Sequence, residues 1–202
     1  MRAGKIFGVI GSPRHNHNTG LLVQRVLDGA AEAGMSSQSF YVHDYRVGLC
    51  DACDACKQLG RCIKEDDMQI AYRALNESKA LVIGTPIYFD HVSAQLKLFL
   101  DRLYPYCGPN MEKLFPAGVK AALVFTYGDA DPHLYDGVAG WLRERLAFYY
   151  DIETVATLAA ADTGNRPVAE RRDLLLQAYK AGRQLAERVE ASSLSRQDRS
   201  RG

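Results

Sequence analysis

The sequence predicts a single α/β domain built around a parallel β-sheet with helices on both faces. Five short apolar runs alternate with five segments in which apolar residues recur every three or four positions, the pattern of repeated strand-helix-strand units. Three of the five runs are nearly continuous in apolar residues, as expected for strands that are covered on both faces. A chain of 202 residues is long enough to bury one core of this kind.

The five apolar runs are the strand candidates. They span residues 5–11, 37–44, 80–85, 121–127 and 152–159. For strands and helices in strict alternation, a flavodoxin-like three-layer sandwich with a five-stranded parallel sheet of order 2-1-3-4-5 is a common solution. We therefore expect that order, with ligands binding at the carboxyl ends of the strands.

The five amphipathic segments are the helix candidates, because their apolar residues have helical spacing. The apolar positions are Leu22, Val26, Ala30 and Ala33; Met68, Tyr72 and Leu75; Val92, Leu96, Phe99 and Leu103; Val138, Leu142, Leu146 and Tyr149; and Val168, Leu175, Tyr179 and Leu185. No linker or repeat divides the chain, so we expect one domain over residues 1–191. The polar, Ser- and Arg-rich tail at 192–202 is expected to be disordered.

Charge and hydropathy disfavour several classes of function. The 25 basic and 24 acidic residues give a formal net charge of +1, so no overall field favours binding to nucleic acid or to an anionic membrane. No window approaches the roughly 20 apolar residues of a membrane span, and a Gly-Ser-Pro turn interrupts the start of the chain before a secretory signal could form. We therefore expect a cytoplasmic protein, and a small polar ligand is compatible with this composition.

The loop after the first strand, "GSPRHNHNTGLL" at residues 11–22, has the features of a phosphate site. Its side-chain donors include Ser12, Arg14, Asn16, Asn18 and Thr19. The loop leads directly into a helix, whose free N–H groups and positive dipole end favour an anion. The glycine patterns of dinucleotide and nucleoside triphosphate loops are missing from it, which favours a terminal phosphate monoester. The structural alternative is that Asn18 or Thr19 only caps the helix.

The segments after the third and fourth strands together suit a planar ring. Pro86 lacks an N–H and is expected to end the strand ladder, which would leave the following backbone groups free beside the aromatic rings of Tyr88 and Phe89. Gly128, after the fourth strand, permits close approach of the backbone. Such an arrangement suits a flat heteroaromatic ligand. Ordinary packing of the aromatic rings on the sheet is the alternative, and Asp90 would then be only a helix N-cap.

Four of the five cysteines fall within thirteen residues, in the loop at 48–62. They are Cys50, Cys53, Cys56 and Cys62, with the spacing C-x2-C-x2-C-x5-C. A reducing cytosol disfavours a disulfide knot. The consecutive spacing favours a [4Fe-4S] cluster over zinc, which usually takes two separated C-x2-C pairs, although zinc and free or redox-active thiols stay open. Cys107 stands apart and is predicted to be a buried or half-buried free cysteine.

In this order, the motifs resemble the iron-sulfur flavoprotein family, within the NADPH-dependent FMN reductase and flavodoxin-like group. The resemblance covers about residues 4–128 and includes "EDDM" at 65–68 and "GTPIYFDHVSAQLKLFLDRLYP" at 84–105. It implies that the FMN phosphate is held by Ser12, Arg14, Asn18 and Thr19. It implies that the isoalloxazine ring is lined by Thr85, Pro86, Ile87, Tyr88, Phe89, Thr126, Tyr127 and Gly128.

The same resemblance implies an FMN-dependent oxidoreductase in which the cysteine-ligated [4Fe-4S] cluster exchanges electrons with FMN, with NAD(P)H as a candidate electron donor. It further implies a redox partner protein such as ferredoxin, or a small-molecule acceptor, and a homodimer or homotetramer. No side chain is assigned as a catalytic acid or base, and Tyr88 is the nearest candidate for a donor to the flavin. Two alternatives stay open: an NAD(P)H-dependent FMN, quinone or azo reductase without a cluster, and a non-enzymatic flavodoxin-like electron carrier.

Overall fold

A six-stranded sheet forms the middle layer of the protein, of which the computed structural model describes residues 4–199, with side chains through residue 193. Its strands are β1 (Lys5–Ile10), β2 (Ser36–Tyr41), β3 (Ser78–Tyr88), β4 (His91–Val92), β5 (Lys120–Thr126) and β6 (Glu153–Ala160). Five strands are parallel in the order β2-β1-β3-β5-β6, and β4 pairs antiparallel with the end of β3. The predicted parallel flavodoxin-like sheet is confirmed. The predicted count of five is wrong, because a two-residue strand is too short to show an alternating pattern.

The described residues contain six α-helices. They are α1 (Asn18–Glu32), α2 (Ala55–Leu59), α3 (Met68–Glu77), α4 (Ala94–Asp101), α5 (Asp136–Tyr150) and α6 (Arg172–Arg199). Each of the five predicted helical segments contains one of them, whereas α2 lies inside the cysteine loop and was not predicted. In residues 4–199 no helix is both long and apolar enough to cross a membrane.

The predicted tail at residues 192–202 is described only in part. Helix α6 continues to Arg199, and residues 200–202 of the predicted disordered tail lie outside the described residues. The disorder of this tail and the single domain over residues 1–191 therefore stay predictions.

Alternating residues of the strands build two separate cores, one on each face of the sheet. On β3, Leu81 and Ile83 belong to the core under α3, α4 and α5, while Ala80 and Val82 belong to the core under α1 and α6. This alternation follows from the two-residue period of a strand, and burial on both faces explains the continuous apolar runs of the sequence.

Helices α1 and α6 cross at unusually close range. Gly29 of α1 and Gly182 of α6 lie at the crossing, and a Cβ added at either position would overlap the backbone of the other helix. Glycine is therefore required on each side of this contact.

Candidate functional site

A topological switch point, where open α/β sheets have a crevice for ligands, lies at the carboxyl edge of the sheet between β1 and β3. The chain leaves β1 toward α1 on one face and leaves β3 toward α4 on the other, so the two following loops diverge. The strands stay joined at their ends, where the Gly11 N–H donates to the Gly84 carbonyl at 2.8 Å. Such a switch point is where open α/β sheets bind their ligands.

The loop from β1 ends at a helix start that has no side-chain cap. His17 is the N-cap residue of α1, with extended backbone and no side-chain capping bond. Asn18 and Thr19 are the first helical residues, so the alternative in which one of them caps α1 is wrong. Ser12, in the loop after β1, is buried, and its Oγ accepts from the Arg14 N–H at 3.2 Å. The N–H groups of the first turn of α1 therefore lie at the carboxyl edge of the sheet, where they can bind an anion.

Two of the predicted phosphate contacts bond to other parts of the protein. The Asn18 Oδ1 accepts from the Val168 N–H at 2.9 Å, and the Thr19 Oγ1 lies 2.7 Å from the Thr126 Oγ1. The second bond joins the start of α1 to the end of β5, so these two segments meet at the carboxyl edge of the sheet. These side chains fix the walls of the crevice.

The end of β3 differs from the prediction. Pro86 does not end the strand, which continues to Tyr88. Proline lacks only the backbone N–H donor, so the strand can continue past it. After Pro86, Ile87 pairs with Val92 and Tyr88 pairs with His91 of β4. Ile87 and Tyr88, whose backbone groups were expected to be free, therefore belong to this short hairpin.

The hairpin turn presents an aromatic side chain to solvent. Phe89 and Asp90 form the turn with φ angles of 48° and 58°, a left-handed conformation that is strained for residues other than glycine. Phe89 is fully exposed and Tyr88 is exposed, whereas Ile87 is buried. The Tyr135 hydroxyl donates to the Asp90 Oδ1 at 2.8 Å and so anchors the turn.

A buried hydrogen-bond network lies beneath this hairpin. The Ser93 Oγ accepts from the Leu96 N–H at 3.2 Å, so Ser93 caps α4 and the predicted capping role of Asp90 is wrong. The same hydroxyl donates to the Gly11 carbonyl at 2.7 Å. Thr85 joins the network, because its Oγ1 accepts from the Ser93 N–H at 3.0 Å and donates to the Pro86 carbonyl. Thr85 therefore lies inside the wall of the crevice.

The loop after β5 forms the remaining side. Tyr127 is buried, its hydroxyl donates to the Pro132 carbonyl at 2.9 Å, and its ring packs edge-on against Tyr135 at 4.9 Å. Burial raises the pKa of Tyr127, so the hydroxyl stays protonated at neutral pH. Beside it, the space around the Gly128 Cα is open, with no described atom within 4 Å of an added Cβ.

The four clustered cysteines form no disulfide and lie around a second pocket. Cys50 and Cys53 are exposed, Cys56 and Cys62 are half-buried, and all four line one pocket together with Arg102. Within the described residues, no three His, Cys, Asp or Glu side chains are gathered closely enough to hold a metal ion. The donor chemistry thus suits a cluster, although the thiols themselves are not drawn together.

Arg102, which is buried, and Asp66, which is half-buried, form an ion pair next to this pocket that sequence reasoning missed. The pair is bidentate, with Nη1–Oδ2 at 2.6 Å and Nη2–Oδ1 at 3.1 Å. Burial alone would raise the pKa of Asp66, but the bonds from Arg102 and from the Gly48 N–H outweigh it and lower that pKa. Charged residues lie next to apolar helical segments throughout this sequence. No sequence pattern therefore distinguished Arg102 and Asp66 from the others.

Cys107 is a buried free cysteine, as predicted. Its Sγ lies 3.7 Å from the Met111 sulfur, and its carbonyl accepts from the Lys57 Nζ. Lys57 belongs to α2 and also lies over the Tyr104 ring, 3.6 Å from the centroid. These contacts dock the cysteine loop against the segment that follows α4.

Comparison with known proteins gives consistent matches. A family model described as NADPH-dependent FMN reductase matches residues 4–134. An iron-sulfur flavoprotein of Methanocaldococcus jannaschii is 38% identical over 101 residues, which cover 50% of this chain and 52% of that protein. An iron-sulfur flavoprotein of Archaeoglobus fulgidus is 31% identical over 102 residues, which cover 50% of this chain and 46% of that one. This chain thus spans about half the length of the curated relatives it matches.

Among solved structures, an NAD(P)H:quinone oxidoreductase from Methanothermobacter marburgensis has the same fold. The TM-score is 0.70 at 16% sequence identity, and the match covers 91% of this chain and 97% of that one. At this identity the likeness concerns the fold alone.

Proposed function

The chain belongs to the NADPH-dependent FMN reductase family, and from this membership we propose that it is an FMN-dependent oxidoreductase. The observation that carries the proposal is the uncapped start of α1 at the crevice between β1 and β3. Free helix N–H groups beside the buried hydroxyl of Ser12 suit a phosphate monoester, and the aromatic hairpin across the crevice suits a ring attached to it.

The residues of the crevice divide by role in this proposal. Ser12, Arg14 and the N–H groups of the first turn of α1 would hold the FMN phosphate. The ring would lie against Ile87, Tyr88, Phe89 and the open side of Gly128. The remaining predicted contacts would hold the loops in position through the hydrogen bonds described above; they are Asn18, Thr19, Thr85, Pro86, Thr126 and Tyr127. Bound there, FMN supplies hydride and single-electron chemistry, while the protein binds, orients and shields the ring.

We propose further that Cys50, Cys53, Cys56 and Cys62 hold a [4Fe-4S] cluster. Support comes from the four thiols that line one pocket, from the buried cation beside Cys62, and from the names of the curated relatives. Such a cluster supplies single-electron transfer. In this proposal NAD(P)H is a candidate donor, a redox partner protein such as ferredoxin or a small molecule is the acceptor, and the protein is a homo-oligomer.

A reductase without a cluster is the second candidate. It is favoured by the separation of the thiols, since among the described residues no three metal-binding side chains are gathered. In that case NAD(P)H would reduce the flavin directly, and a quinone, an azo dye or free FMN would be the acceptor.

Cofactor analysis of protein purified without oxygen separates these candidates. We expect about one FMN per chain, and about four irons and four sulfides if the cysteines hold a [4Fe-4S] cluster. FMN without iron, together with steady NAD(P)H oxidation, would favour the reductase without a cluster. A protein that binds no FMN even when the cofactor is supplied in excess would contradict both.

A further inference from the structure

The largest fully buried side chain in the described part of the protein carries a charge. Arg102 follows α4 and is 1% exposed. A buried guanidinium without partners would be very unfavourable, so the partners of Arg102 indicate why the side chain is buried here. Those surroundings are the cysteine loop.

Arg102 contacts both ends of the loop at 48–62. Its Nη1 donates to the Gly48 carbonyl at 2.7 Å, and its Nη2 donates to the Cys62 Sγ at 3.5 Å. Asp66 fixes the guanidinium in this position by the bidentate pair. The Asp66 carboxylate also accepts from the Gly48 N–H at 2.9 Å and the Met68 N–H at 3.1 Å, so the same pair joins the loop to the start of α3.

One donor of Arg102 is left over. The Nε–H is buried and has no hydrogen-bond partner. Buried polar groups are nearly always paired, and Arg102 lines the pocket of the thiols, so a group bound in that pocket is a candidate acceptor for this N–H. Arg102 lines the same pocket as the four thiols, and the Nη2 of this side chain already donates to one of the four.

We propose that Arg102 is a positioning residue of the cysteine site. Held by Asp66, its guanidinium fixes both ends of the loop and directs N–H donors toward the sulfur-bearing group that the cysteines bind. The inference rests on the proposed [4Fe-4S] cluster. Hydrogen bonds to sulfur favour the reduced form of a cluster, because reduction adds negative charge. The Asp66 carboxylate balances the charge of Arg102, so the N–H donors of Arg102 carry this effect. Arg102 therefore raises the reduction potential of the site.

A double variant tests this role without leaving a buried charge unpaired. Arg102→Gln with Asp66→Asn removes both members of the pair. Arg102→Lys keeps the positive charge but loses the planar fork, and it keeps the test open if the double variant does not fold. Arg25→Gln with Asp28→Asn is the matched control, since this pair is partly exposed and lies on α1, outside the cysteine loop.

Two measurements decide the outcome. In iron-loaded protein we expect the ratio of reduced to oxidised cluster at a fixed potential to fall about tenfold in the double variant, a midpoint about 59 mV lower, with no change in the control. In the protein as purified, we expect amide hydrogen exchange in segment 46–67 to be about tenfold faster in both Arg102 variants, with β1 unchanged.

An unchanged potential together with unchanged exchange in segment 46–67 would overturn the proposal. If the wild-type protein binds no iron, the proposed cluster fails on that result alone. The exchange measurement then decides separately whether Arg102 positions the loop: faster exchange supports this role, and unchanged exchange refutes it.

Discussion

At the scale of single residues, Phe89 combines two unfavourable features. Its side chain is fully exposed, and its backbone is left-handed with φ of 48°. The left-handed conformation costs a residue with a Cβ about 1–2 kcal/mol. Strain of this kind persists at functional sites, where an aromatic side chain held in a fixed position serves a ligand.

Replacing Phe89 by glycine should separate stability from binding. In FMN-free protein we expect Phe89→Gly to raise the free energy of unfolding by about 1 kcal/mol, because glycine adopts a positive φ without strain and no buried contact is lost. We expect FMN affinity to fall about tenfold, the equivalent of one lost aromatic contact. Urea unfolding and fluorescence titration with FMN measure the two effects.

The matched control is Phe89→Ala, which removes the ring but keeps the Cβ. It should lose the same FMN affinity without the gain in stability. Wild-type FMN affinity in both variants would show that Phe89 does not contact the flavin.

At the scale of elements, the crossing of α1 and α6 depends on two glycines. A Cβ at Gly182 would meet the backbone of α1 at Val26 and Ala30, and backbone atoms cannot move aside as a side chain can. We expect Gly182→Ala to lower the free energy of unfolding by about 3 kcal/mol, the upper end of the usual cost of overpacking. Thermal and urea unfolding measure the change.

Gly140→Ala on α5 provides the comparison. There the nearest atom to an added Cβ is the end of the Arg143 side chain at 3.9 Å, so the better helix propensity of alanine should stabilise the protein by about 0.5–1 kcal/mol. Equal stability of Gly182→Ala and the wild type would mean that the two helices can separate without cost.

Elements differ in how far the sequence could predict them. The five long parallel strands and the five longer helices have enough residues for their period to stand out from neighbouring loops. Helix α2 has five residues and β4 has two, and neither completes a recognisable repeat. Both short elements lie in loops that shape a candidate site, α2 among the cysteines and β4 in the aromatic hairpin.

At the scale of the whole molecule, the Arg102–Asp66 pair makes stability depend on acid pH. Asp66 has a lowered pKa in the folded protein, so its ionised form stabilises the fold. That contribution is present above the unfolded-state pKa of about 4 and is lost as the pH falls through the lower folded-state value.

We expect Asp66→Asn to lower the free energy of unfolding by about 3 kcal/mol at neutral pH, because it leaves the Arg102 charge buried and unpaired. The difference from the wild type should shrink as the pH falls below about 4, where the carboxylate of the unfolded wild-type chain becomes protonated, and should be lost below the lower folded-state pKa. Denaturation at a series of pH values measures both. Asp28→Asn, which breaks a partly exposed pair, should change stability by less than about 1 kcal/mol. A difference at Asp66 that is independent of pH would contradict the argument.

The sequence by itself determined the fold class and the location of the candidate chemistry. Short apolar runs, and apolar residues that recur with helical spacing, are local signals, and they sufficed for a parallel sheet with helices on both faces. The chemical types of Ser12, Arg14 and the four clustered cysteines are equally local. Each could be recognised because it depends only on neighbours along the chain.

Only the tertiary structure decided which polar groups pair with each other. Thr19 meets Thr126 across 107 positions of the chain, and Arg102 meets Asp66 across 36. A hydrogen-bond donor is chemically compatible with many acceptors in the sequence, and the folded geometry selects one of them. For that reason side chains predicted to touch a ligand prove to bond to one another, and the buried cation at the cysteine pocket is visible only in the fold.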